Sequence, residues 1–339
     1  MNNYDVLREL IEIDSPSGFT HKAIDFLEAQ FNNYGFTTRR SRKGALICRL
    51  GEEPARLALA AHVDTLGAVV SGFKSDGTLA FSPIGGPSLN AFEGEYLRIH
   101  TMEGDVITGT LLLNNPSTHA NRETEKTQRS VDTMHIRVDE NVNSPDDCRK
   151  LGIRIGDIVS FDTRYQETAS GYIKSRFMDN KAGCFVLLEV ARRMAEAGRT
   201  APVDLFISNY EEVGHGGTCP WDATVEELMV IDMGVVGDAC EGGETFCSIC
   251  AKDSSGPYDY AMRTRLVELA EAGNIKHKLD VYPYYGSDGS AALRAGNDFR
   301  VALIGPGVAA SHGVERAHKD GIEATVELSL AYIDDFTGR

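Results

Sequence analysis

The sequence predicts an α/β domain interrupted by an inserted β-rich domain. Three observations predict it. Apolar runs of strand length alternate with helical stripes toward both ends of the chain. The stretch between them carries short alternating runs broken by glycine, with no long amphipathic helix. Histidine and carboxylate clusters stand where the apolar strands end, the place where open α/β sheets build their sites. The boundaries fall at 1–65 and 170–339 for the α/β domain and at 66–169 for the insert.

The elements follow in order. Val6, Leu7, Leu10, Ile11 and Ile13 form a helical stripe over 3–13, stopped by Ser15-Pro16-Ser17-Gly18. A second helix over 20–34 turns Ala23, Ile24, Phe26, Leu27 and Phe31 inward and ends at Gly35. Strands follow at 44–50 and 56–62. The second is nearly all apolar, as a strand buried on both faces must be. In the insert, short strands read at 78–82, 94–101, 105–113, 133–138 and 157–162, around a polar segment, 114–130, expected to be a mobile loop. The α/β rhythm then returns. Helices are expected at 180–198, 256–273, 288–295 and 317–336, the last open to being partly strand. Strands are expected at 203–209, 228–233 and 300–304.

Charge narrows the function. The 339 residues carry 34 Lys plus Arg against 50 Asp plus Glu, a net charge of −16. A nucleic-acid binder needs a basic face against phosphate, and an anionic membrane surface demands the same, so both partners are excluded. No apolar run approaches the roughly 20 residues that span a bilayer, and Met1 to Arg8 shows no signal-peptide core. Seven cysteines without a framework point to a reducing cytoplasm, with Cys247 and Cys250 read as unpaired structural thiols.

Five polar clusters carry the chemistry: His62-Val63-Asp64, Asp179-Asn180-Lys181, Glu211-Glu212-Val213-Gly214, Asp232, and Ser311-His312-Gly313. Imidazole and carboxylate together suit a nitrogen–oxygen site for divalent metal. His62 and Asp64 are two apart, so an extended chain points them the same way, and the aspartate is expected to accept the ring N–H that faces away from metal. Asp179 has a second reading, as the N-cap of the helix it opens. Two adjacent carboxylates after a buried strand are costly unless they meet a cation or a proton, which singles out Glu211-Glu212.

The order His-x-Asp, Asp-Asn-Lys, Glu-Glu-Val-Gly, Asp, Ser-His-Gly-x-Glu resembles the two-metal aminopeptidases of the glutamyl, deblocking and tetrahedral aminopeptidase family. Ser15-Pro16-Ser17-Gly18, the run Leu151 to Asp157, and Ser287-Asp288-Gly289-Ser290-Ala291 extend the resemblance over most of the chain. The resemblance implies a mixed-sheet, three-layer catalytic domain of the zinc-peptidase type, with a small barrel-like insert that makes dimer and assembly contacts. It implies two divalent ions per subunit, zinc, cobalt or manganese. His62 and Asp232 would hold one ion, Glu212 and His312 the other, and Asp179 both. Glu211 would be the general base, with Asp64 beside it in the catalytic set. His215, Ser287 and Asp288 are candidate substrate contacts. A cis peptide is implied between Asp179 and Asn180, and a homo-oligomer, as large as a tetrahedral dodecamer, for the assembled protein.

The chain departs from the usual pattern at Asn180-Lys181, where Asp-Arg is commoner, at His215, and around His312, where His-Ser-Pro is commoner. His215 has two readings, a substrate contact or a loop hydrogen bond, and His318 is expected on the surface. The implied activity is removal of the N-terminal residue from peptides. Its nearest rival is deacylation of small N-acylated amino acids or peptides, which would use the same water. A glycosidase would hold its carboxylates about 5–10 Å apart across a sugar, which leaves the histidines unexplained. A serine hydrolase lacks its Gly-x-Ser-x-Gly elbow. A non-enzymatic assembly protein would have lost the base or a ligand.

Overall fold

A computed structural model describes residues 3–219 and 221–338; Met1, Asn2, Pro220 and Arg339 lie outside the described residues. The chain divides into two compact units, one up to Asp64 and from Arg164 onward, the other Thr65–Thr163.

The first unit is built on a mixed sheet of thirteen strands among the described residues. At its centre Val203–Ser208, Leu57–His62, Glu227–Ile231 and the start of Arg300–Ala309 run parallel. Register sets Ser208 beside His62 and Ile231 beside Ile304, so the carboxyl ends of all four strands share one edge. Leu57–His62 is buried throughout. Leu57, Leu59 and Ala61 face a core with the helices Asn3–Glu12, His21–Asn33, Met178–Glu196, Tyr260–Ala272 and Lys319–Thr337. Ala58 and Ala60 face the other core, with Phe206, Leu303 and Ala292 of the helix Asp288–Arg294. Both faces being covered, the strands need apolar residues at every position, and the alternation that marks a half-solvated strand is absent.

The strand expected at 44–50 is Leu46–Arg49, while several others carry no strong signal in the sequence: Thr37–Arg40 at one edge, Tyr172–Ser175 and Gln166–Glu167 at the other, and Cys247–Asp253 with His277–Val281 as a branch. The strand expected at 300–304 runs on to Ala309 through Gly305-Pro306-Gly307, which reads as a turn. A Cβ on Gly305 would overlap the Asp232 carbonyl oxygen, so this glycine permits a close backbone approach and breaks nothing. The helix expected from 256 begins at Tyr260, capped by Asp259, because Gly256–Pro257 pairs back onto Lys252 and Asp253. The last helix starts at Lys319 after the strand Glu315–His318. His318, half-buried, accepts the Asp320 N–H at 3.0 Å and caps that helix. Cys247 and Cys250 are buried and free, as are Cys48, Cys148 and Cys184.

The second unit is a closed antiparallel barrel of Gly67–Phe73, Leu79–Ile84, Met134–Val138, Val106–Leu113, Tyr96–His100 and Ile158–Phe161. Val70, Leu79, Phe81, Ile99, Leu111, Ile136, Val159 and Phe161 are buried in it. The polar segment forms successive turns with no helix or strand. Arg129 folds it together, donating to Glu93 and to the carbonyls of Thr124 and Thr127. No described helix is long and apolar enough to cross a membrane.

Candidate metal centre

The site begins where the parallel strands end. Ser15 donates to the Val63 carbonyl at 2.8 Å, and Ser17 donates to Asp64 Oδ2 at 2.5 Å. The Ser-Pro-Ser-Gly turn is thus pinned to the end of Leu57–His62. The His62 ring is 2 % exposed. Its Nδ1 lies 3.0 Å from the Asp64 main-chain carbonyl, which can only accept, so Nδ1 carries the hydrogen and Nε2 faces the site. The Asp64 carboxylate stands 3.6 Å from the same nitrogen. This corrects the expected imidazole–carboxylate pair, because that carboxylate is engaged elsewhere. Oδ1 accepts the Glu211 N–H at 3.1 Å and Oδ2 the Glu212 N–H at 3.2 Å.

Asp179 lies between two histidines. Its Oδ1 is 3.2 Å from His62 Nε2, and its Oδ2 is 3.7 Å from His312 Nε2. Asp232 Oδ1 and Glu211 Oε2 each lie 3.8 Å from His62 Nε2, and Glu212 Oε2 lies 3.8 Å from His312 Nε2. The structure therefore brings together all of His62, Asp64, Asp179, Glu211, Glu212, Asp232 and His312. The Asp179–Asn180 peptide is cis, as the resemblance implies. Asp179 is not the helix cap. Its φ of −78° and ψ of 102° are not helical. Asn180 takes the capping role, its Oδ1 accepting the Gly183 N–H at 3.1 Å while its Nδ2 donates to the Ile231 carbonyl. Lys181 is fully buried and donates to the carbonyls of Ile11 and Ile13 at the end of the first helix.

Burial and mutual repulsion push these carboxyls up. Desolvation drives Glu211 and Glu212 well above the ordinary carboxylate range, and raises Asp232 to about 7 and Asp288 to about 6. Asp179 goes the other way. Burial opposes its ionisation, but the His62 hydrogen bond and the charges of His62 and His312 outweigh it. Burial likewise opposes a charged His62, yet Asp179, Asp64, Asp232 and Glu211 hold its pKa well above the ordinary value. Crowded acids with this much strain are what a bound cation relieves.

Of the candidate substrate contacts, Ser287 is buried, shares its hydroxyl with Tyr258 at 2.8 Å and forms a capping box with Ser290. That gives it a role in the helix cap. Asp288 is 1 % exposed and faces the Ser208 hydroxyl and the Gly217 amide. His215 is exposed, its ring stacked on Tyr210 at 4.8 Å and its carbonyl accepting from Lys43. Sequence reasoning gave no role to Glu315, whose carboxylate accepts the N–H groups of Asp179 and His312. Its place three residues after His312 was the available signal.

The model of the M42 glutamyl aminopeptidases matches residues 44–328. This chain belongs to that family. The YhfE protein of Bacillus subtilis (strain 168), provisionally named an aminopeptidase, is 43 % identical over 97 % of this chain and 96 % of its own. The glutamyl aminopeptidase of Lactococcus lactis subsp. cremoris is 30 % identical over 64 % of this chain and 62 % of its own. Among solved structures, the TET aminopeptidase of a marine sediment archaeon, Thaumarchaeota archaeon SCGC AB-539-E09, superposes with a TM-score of 0.88 at 19 % identity, covering 98 % of this chain and 97 % of its own. The dodecameric PhTET1-12s superposes at 0.86 with 20 % identity, covering 98 % and 99 %. At such identities these two establish the zinc-peptidase-type fold.

M42 membership assigns divalent metal to this site, and the residues fit it. The ligand atoms of His62, Asp179 and Asp232 all lie within 4.8 Å of one another. Glu212 Oε1 is buried with no hydrogen-bond partner among the described residues, a lone pair that a cation would engage.

Proposed function

We propose that this M42 enzyme removes the N-terminal residue of peptides with two divalent ions held side by side. Metal-dependent aminopeptidase activity is what the family performs. The observation that carries the two-ion reading is Asp179, whose two carboxylate oxygens face two different histidines at 3.2 and 3.7 Å. His62 and Asp232 would hold one ion, Glu212 and His312 the other, and Asp179 would be shared. The donor set of nitrogen and carboxylate oxygen suits zinc, cobalt or manganese.

When bound, the ions would polarise the scissile carbonyl and lower the pKa of the attacking water. The chain supplies the rest. Glu211, whose Oε2 lies 3.8 Å from His62 Nε2, takes a proton from the water and delivers it to the leaving amine. Its main-chain N–H is tied to Asp64 Oδ1, which fixes where the base stands. The Nδ1–H of His62 is held on the Asp64 carbonyl, so the ring cannot turn away from the site.

The dodecameric PhTET1-12s supports a homo-oligomer; the specific form we propose is a tetrahedral dodecamer with the barrel as its assembly unit. The seven free cysteines support a reducing cytoplasm. The test is a panel of free and N-acylated aminoacyl amides, assayed with Zn²⁺, Co²⁺ or Mn²⁺ against a chelated control. Metal-dependent cleavage of the free amines alone is expected. Cleavage confined to the acylated members would transfer the enzyme to the deacylases. Light scattering at 36.9 kDa would reject the assembly.

A further inference from the structure

We propose that Glu315 is a positioning residue whose carboxylate sets the spacing of Asp179 and His312 and so builds one of the two ion sites. The proposal rests on the two-ion reading above. Glu315 is 2 % exposed and opens the strand Glu315–His318, where it pairs with Ser175 of Tyr172–Ser175. Its Oε2 accepts the Asp179 main-chain N–H at 3.0 Å, and its Oε1 accepts the His312 main-chain N–H at 3.1 Å. The Met178 amide faces the same group. The two oxygens of a carboxylate keep a fixed separation, so the two amides bound to them are held at a fixed distance as well.

Both residues need that hold. Asp179 leaves helical geometry at the opening of Met178–Glu196, where the first N–H groups have no intrahelical acceptor. His312 has φ +62°, a left-handed conformation that a residue with a Cβ seldom adopts. With both backbones tied to one carboxylate, their side chains meet at 3.7 Å, and Glu212 closes the group at 3.8 Å from His312. His62 and Asp232 draw their placement from the parallel strands and make no described hydrogen bond to Glu315. Loss of Glu315 should therefore fall more heavily on the ion held by Glu212 and His312, and reach the other ion only through the shared Asp179.

The experiment strips the purified protein of metal and titrates wild type and Glu315→Gln with Zn²⁺ by calorimetry, with stoichiometry checked by elemental analysis. Glutamine offers one acceptor oxygen and turns a donor toward the other amide. Wild type should take two ions. Glu315→Gln should weaken one ion by about 10- to 100-fold, the usual cost of removing a group that orients a ligand, and the other distinctly less. Equal loss of both ions, or loss of neither, overturns the proposal. A second measurement needs no variant. In metal-stripped wild type, the amides of Asp179 and His312 should exchange slowly with deuterium, and exchange as fast as in open loops overturns the clamp even where Glu315→Gln fails to fold. Wild type that takes a single ion while both amides stay protected would overturn the two-ion reading and leave the clamp standing.

Discussion

Asp232→Asn should make the metal-stripped protein more stable while abolishing its use of metal. Asp232 is 3 % exposed, and burial raises its pKa from 3.8 to about 7. A carboxyl whose folded pKa lies above its unfolded value stabilises the fold while it keeps its proton. That contribution is complete below pH 3.8 and is lost as the pH rises through about 7. Each pH unit between those two values is worth about 1.4 kcal/mol, so the loss across that window is on the order of 4 kcal/mol at most. Asparagine imitates the neutral acid and keeps an oxygen for the Met233 N–H, now bonded at 2.7 Å. The gain from the substitution should be near zero at pH 4, grow by about 1.4 kcal/mol per pH unit, and level off above pH 7. In a unit of this size 1 kcal/mol moves Tm by about 2–4 °C, so thermal unfolding in chelator at pH 4, 5.5 and 8 resolves the trend. Added Zn²⁺ should then raise the Tm of wild type well beyond that of the variant. A gain that is flat with pH, or a variant less stable than wild type at pH 8, would refute the argument that the acid cluster is held at the expense of the fold.

Other consequences are direct. Glu211→Gln should bind metal as wild type does and lose about 10²- to 10⁴-fold in kcat, measured on a cleavable aminoacyl amide alongside a metal titration. Asp64→Asn keeps one acceptor oxygen for two amides. It should cost about 1–3 kcal/mol in urea unfolding, the penalty for an unmet buried donor, and lower kcat with it. Gly305→Ala forces a methyl onto the Asp232 carbonyl. A loss of about 1–3 kcal/mol and weaker metal binding are expected from the same protein preparation, whereas Gly296→Ala, in open space on a turn, should leave metal binding unchanged.

Much of this was legible because the sheet is parallel and buried. A parallel strand covered on both faces has to be written in apolar residues, so its end is sharp in the sequence, and the residues just beyond it fall on one edge of the sheet. His62, Asp232 and the Glu211-Glu212 pair were found that way. Edge strands such as Thr37–Arg40, exposed along most of their length, carry no such signature, and Gly67–Phe73 hides behind its two glycines. Reading Gly305-Pro306-Gly307 as a turn failed for a different reason: the glycine answers to Asp232 in space and not to its chain neighbours.

The arrangement of the site was less legible than its membership. Spacing placed His62 and Asp64 on the same side, yet the imidazole takes the Asp64 carbonyl, leaving the carboxylate for the amides of Glu211 and Glu212. Glu315 does the same for Asp179 and His312. Two acids thus act on the backbone of the proposed metal ligands and base, and each joins loops that the sheet alone does not bring into register. A carboxylate that accepts main-chain N–H groups imposes nothing on the side chains of its partners, so no pairing of residue types records it. Each of these two buried acids has amide donors on both oxygens, whereas Glu212 Oε1 has none among the described residues. A proposed metal ligand is thus left open to a cation, while the two acids that only build the proposed site are bonded within it.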